Sequence, residues 1–142
     1  MAVRTVVGMA TALTVGLCFS AAAQAETQAE QATLAPAEVW VTGLDAGRYA
    51  ESWQAASTYM KTMVPSEDWV RTVQAARGAL GKSVSRQVAS TEYMTQLPGA
   101  PDGEYVVVQY ATTFERKATA TETVTLTKEG DGVWRVAGYY IR

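Results

Sequence analysis

The side chains that could carry chemistry in this chain are few, and their types exclude most familiar mechanisms. There is no histidine, and the one cysteine is Cys18 in an apolar N-terminal segment. Without imidazole or a usable thiol, Ser-His-Asp and Cys-His nucleophiles, histidine-held catalytic zinc and thiolate metal sites are all closed. Asp, Glu, Lys and Tyr remain for acid–base work. Among the acids, Asp45, Asp102 and Asp131 fall in turn-forming stretches and Asp68 opens a helix. Glu122 alone lies well inside a strand pattern on its apolar side, where it could pair with Tyr110 as the base of a small isomerase or hydrolase. Its plainer reading is a residue at the sheet edge or rim. Ser57 and Lys61, one helical turn apart, have the reach of a Ser-Lys dyad, but nothing nearby suggests an oxyanion hole. Phosphate-loop, dinucleotide and calcium-loop motifs are absent. The residues therefore assign no catalytic group, no metal ligands and no cofactor.

Binding is better provided for. Arg77, Arg86, Gln109, Tyr110 and Tyr140, with Tyr139 beside them, would make a polar lining at the mouth of a cavity. Solvated or cross-strand pairs are the plainer account of the same residues. Trp40, Trp53, Trp69 and Trp134 could form an aromatic box. Each, however, occupies a position that its own element would bury, so core packing explains them better.

The elements that must position these groups begin after a leader. Arg4, an apolar run from Thr5 to Phe19 and the ending Ala21-Ala22-Ala23-Gln24-Ala25 read as a signal peptide over residues 1–25, cut between Ala25 and Glu26. The run is short for a membrane span, which needs roughly 20 apolar residues. The mature chain is then periplasmic or secreted, with no membrane anchor. Losing Arg4 takes one from the 12 basic residues and none from the 14 acidic ones, so the net charge moves from −2 to about −3. Such mild acidity argues against nucleic acid as a partner.

Residues 26–35 are polar and lack aromatics, which reads as a flexible leader ahead of a single domain over 36–142. Pro36 suits the first position of a short helix to Leu44, closed by Gly47. Tyr49, Trp53, Ala56, Met60 and Val64 recur at helical spacing, predicting one helix from Arg48 to Met63. After Pro65, Ser66 is placed to cap a helix with the stripe Trp69, Val73, Ala76 and Leu80, ended by Gly81. The period then shortens to 2. Strands are predicted over Ser83 to Met94, Glu104 to Phe114, Thr119 to Thr127 and Val133 to Ile141, with a hairpin turn at Glu129-Gly130-Asp131-Gly132. On the third strand Thr121, Thr123, Thr125 and Thr127 form a wet face. The fold class is α+β, three helices packed on a curled four-stranded antiparallel sheet.

Leu44-Asp45-Ala46-Gly47-Arg48-Tyr49 followed by strands ending in Trp134-Arg135-Val136-Ala137-Gly138-Tyr139-Tyr140 resembles the nuclear transport factor 2-like cone. More closely, Trp53, Trp69, Arg77, Leu80-Gly81, Ser85-Arg86, Leu97-Pro98-Gly99, Gln109-Tyr110 and the Trp134 to Ile141 tail resemble the bacterial exported family called domain of unknown function 4019, over roughly Pro36 to Arg142. The resemblance implies a cavity-forming fold and no activity. The reading that follows is a non-catalytic exported module binding a small apolar ligand or a partner protein. A carboxylate/tyrosine enzyme is the second reading, and a structural homodimer formed through the sheet faces is the third.

Overall fold

The computed structural model describes residues 20–142. Cys18 and the apolar part of the leader lie outside the described residues. Helix α1 (Ala21–Asp45) starts at Ser20, whose hydroxyl accepts from the Ala23 N–H. It runs without a break through residues 26–35, so the expected flexible leader is instead helical. That stretch is rich in Ala, Gln and Glu, which are strong helix formers. Its small residues Ala29, Thr33 and Ala37, four apart and buried, let the helix lie close to the sheet. Tertiary contact reinforces it: the Glu30 carboxylate accepts from the Tyr93 N–H at 3.2 Å. Pro36 is thus inside the helix rather than at its start. Gly47, at φ 75°, supplies the left-handed residue that turns the chain back.

The single helix predicted from Arg48 to Met63 is two, α2 (Tyr49–Gln54) and α3 (Thr58–Met63). Ser57 makes the break. Its hydroxyl accepts from the Met60 N–H at 3.1 Å as the N-cap of α3, and its own N–H donates to the Val136 carbonyl at 2.8 Å. The apolar face survives the break, since Ala56 and Met60 are buried and Tyr49, Trp53 and Val64 pack against the core. Helix α4 (Ser66–Leu80) has Pro65 as its N-cap, so Ser66 is the first helical residue and not the cap.

The strands are β1 (Ser83–Met94), β2 (Tyr105–Phe114), β3 (Lys117–Lys128) and β4 (Trp134–Ile141), antiparallel and in that order across one sheet. Val106, Val108, Tyr110, Val124, Leu126 and Val136 point to the helices and are buried. The threonines of β3 take the other face, as period 2 requires, but that face is not wet: Thr123 is buried and Thr121, Thr125 and Thr127 are half-buried. Between the layers the rings of Trp40, Trp69 and Tyr139 meet with centroids 5.3 to 6.3 Å apart, in tilted and edge-on geometry. This trio packs between the helices and the sheet as part of the core.

Candidate functional site

Four charged side chains from four elements meet on the inner face of the sheet. Asp45 is the last residue of α1, where its carboxylate can reach past the helix end toward the strands. Arg77 follows Trp69 and Val73 at steps of four, so α4 aims it into the core and leaves it 5 % exposed. Arg86 sits on β1 opposite Thr112, and Glu122 sits on β3 opposite Tyr110. Glu122 is fully buried.

Every carboxylate oxygen in the cluster is occupied. Asp45 Oδ1 accepts from Arg77 Nη1 at 2.8 Å and Arg86 Nη2 at 2.9 Å, and Oδ2 accepts from Arg86 Nη1 at 2.7 Å. Glu122 Oε2 accepts from Arg86 Nε and from the Thr112 hydroxyl, both at 2.6 Å. Glu122 Oε1 accepts from the Tyr139 hydroxyl at 2.6 Å and lies 3.4 Å from Arg77 Nη2. Arg77 also stacks over the Phe114 ring at 5.3 Å, where its Nε has no hydrogen-bond partner.

Two cations facing two anions make the cluster neutral, as a buried charge group must nearly be. Burial works against the Asp45 carboxylate, but the hydrogen bonds and charges of Arg86 and Arg77 outweigh it and hold its pKa below the usual value. Burial, and then the charge of Glu122, push the Tyr139 hydroxyl well above the ordinary tyrosine range. Burial likewise raises Tyr110 to about 12. Both tyrosines stay protonated at neutral pH. A general base must reach a substrate proton at about 2.6 to 3.2 Å, and Glu122 has neither an open approach nor a free oxygen with which to do so. Asp45 and Arg77 border a polar hollow of about 290 Å³, yet both are already committed to each other.

The five residues expected to line one cavity mouth do not come together. Arg77 and Arg86 are in the cluster, and Tyr110 lies under Arg86 with its ring 6.0 Å from the guanidinium and its buried hydroxyl unpartnered. Gln109 and Tyr140 are on the opposite face of the sheet, because odd positions of β2 and the paired position of β4 point away from the helices. Gln109 accepts from Ser90 Oγ at 3.3 Å, and the Tyr140 hydroxyl accepts from Arg142. Glu122 is buried at the centre of the cluster and is not a rim residue. Its tyrosine partner is Tyr139 and not Tyr110. Ser57 and Lys61 are each engaged elsewhere: Ser57 caps α3, while Lys61 Nζ donates to the Gln54 carbonyl at 2.6 Å.

The model of a family described as protein of unknown function (DUF4019) matches residues 36–139. The chain belongs to the DUF4019 family. No curated protein matches it. The span matched to DUF4019 opens inside α1 and closes on Tyr139, so it contains the whole cluster from Asp45 through Glu122.

The DUF4019 chain also has an open groove of about 480 Å³ between α1, α2 and the start of β4. Trp40, Leu126, Trp134 and Val136 give it an apolar floor, and Val39 and Val133 stand exposed at its edges. Several of the polar groups around it are engaged with protein partners. Trp40 Nε1 donates to the Ser52 carbonyl at 2.9 Å, and the Ser52 hydroxyl donates to the Tyr49 carbonyl and accepts from Trp69 Nε1. Arg48 pairs with Glu51 at 3.4 Å, and Arg135 grips Glu129 and Asp131, each at 2.8 Å. The Arg135 hydrogen bond lowers the pKa of Asp131 to about 2.

Proposed function

We propose that this DUF4019 protein is an exported, non-catalytic binding module that takes a small, uncharged apolar molecule in the groove between α1, α2 and β4. The observation that carries the reading is the groove itself: its volume falls in the usual range for small-molecule sites, about 300 to 1,000 Å³, and its floor is aromatic and aliphatic. Because Trp40, Ser52 and Arg135 at the groove already have partners, a ligand gains most by removing apolar surface from water, at roughly 25 cal/mol per Å². The filled interior and the fully engaged carboxylates favour binding over catalysis.

Two further expectations belong with this reading. The helices layered on one face of a four-stranded antiparallel sheet are consistent with a nuclear transport factor 2-like cone whose hollow is occupied by its own aromatic rings. The charged start, apolar run and Ala-x-Ala ending support removal of residues 1–25 and a periplasmic or secreted location. Among the described residues, no helix is long and apolar enough to cross a membrane.

Titration with the neutral apolar fluorophore N-phenyl-1-naphthylamine tests the site. Saturable one-to-one binding that quenches tryptophan emission is expected, and Val39→Asp, at an exposed groove edge, should weaken it by about tenfold through an unfavourable charge against an apolar ligand. Binding that does not saturate, or that Val39→Asp leaves unchanged, would contradict the assignment.

A further inference from the structure

Helix α1 carries two sets of start signals, and only the second adjoins the part that packs. At Ser20 the capping contact to the Ala23 N–H is long, 3.4 Å. From Ala21 to Gln28 the side chains are exposed apart from the half-buried Ala23, and the first buried residue is Ala29. Thr27-Gln28-Ala29-Glu30 has the spacing of a capping box, with Thr at the N-cap and Glu three residues on. In the helix as it stands this motif is idle, since the Thr27 hydroxyl donates to the Ala23 carbonyl at 2.9 Å.

We propose that cutting the chain between Ala25 and Glu26 moves the start of α1 from Ser20 to Thr27, where the dormant capping box takes over. The proposal rests on the export reading above, with the export protease as the catalyst. Water adds across the Ala25–Glu26 amide, leaving a carboxylate on Ala25 and an amine on Glu26. The cut removes the carbonyl that holds the Thr27 hydroxyl. It also removes the carbonyls of residues 22–25, the i−4 partners of the N–H groups from Glu26 to Ala29. Thr27 Oγ1 is then free to accept from the Glu30 N–H. Glu30 Oε1 already accepts from Tyr93, and Oε2 can turn back to the Thr27 N–H. The carboxylates of Glu26 and Glu30 meet the positive end of the shortened helix. No fully buried side chain of α1 is lost, because none precedes Ala29.

The test uses the full 142-residue chain produced in an exporting host and recovered after export. Its intact mass is measured, followed by amide hydrogen exchange across Glu30 to Thr33. The expected mass begins at Glu26, and those amides are protected. Thr27→Ala should speed their exchange about fivefold, the effect of losing a typical N-cap, whereas Thr27→Ser should not. In a chain begun at Ser20, Thr27→Ala should change exchange by less than about twofold, since there Thr27 caps nothing. A mass that retains residues before Glu26 overturns the export reading, and the helix proposal is then decided on a chain made to begin at Glu26. Unprotected amides in that chain, or equal acceleration by Thr27→Ala in both chains, overturn the helix proposal.

Discussion

At Asp45 and Tyr139 the same cluster makes the protein sensitive to pH in opposite directions. Asp45 has a folded-state pKa below its ordinary 3.8, so its contribution to stability is present above that value and is lost as pH falls through the folded pKa. Tyr139 has a folded-state pKa above its ordinary 10.0. The unfolded chain therefore releases this proton first, and stability declines as pH rises past about 10. Thermal unfolding from pH 2 to 11 should show a plateau between these limits. Asp45→Asn should flatten the acid limb, and Tyr139→Phe the alkaline one. Unchanged limbs in both variants would mean that other groups set the pH range.

Helix α4 shows what the sequence reveals about an element and where it stops. Trp69 and Val73 were legible from their spacing, but the same periodicity offers Ala76 or Arg77 as the next buried position, and hydrophobicity selects Ala76. The structure buries Arg77, because its partners Asp45 and Glu122 come from 32 and 45 residues away along the chain and no local pattern announces them. Glu122 was visible as an inward position on β3 by simple alternation; its partners were not. The meander itself was legible nearly strand for strand, since turns and period 2 are local signals. The break at Ser57 was missed because it depends on a hydrogen bond to distant Val136. If the α4 face is as described, Trp69→Ala should cost about 3 to 5 kcal/mol in urea unfolding, as deletion of a large buried aromatic does. Thr121→Ala, on the opposite face of the sheet, should stay within about 0.5 kcal/mol. Similar losses for the two would contradict the assignment of faces.

Across the whole molecule, the cluster joins six elements: α1 through Asp45, α4 through Arg77, and the four strands through Arg86, Thr112, Glu122 and Tyr139. The helical layer is thus fastened to the sheet by hydrogen-bonded charge as well as by the aromatic trio. One division of labour follows. The interior is committed to holding the layers together, and the surface groove, whose walls come from those same layers, is the site we propose for a ligand. Replacing buried ion pairs with apolar groups is often neutral in well-packed proteins, whereas removing one partner strands the others and typically costs about 3 to 5 kcal/mol.

Urea unfolding of Glu122→Ala, followed in parallel by tryptophan fluorescence and far-ultraviolet circular dichroism, puts that fastening to its most direct test. The account predicts a loss of about 3 to 5 kcal/mol relative to the native chain, with the aromatic signal shifted to lower urea because Arg77, Arg86 and Tyr139 lose their common partner. A variant whose unfolding curves lie within about 0.5 kcal/mol of the native ones, the range of ordinary surface substitutions, would contradict it.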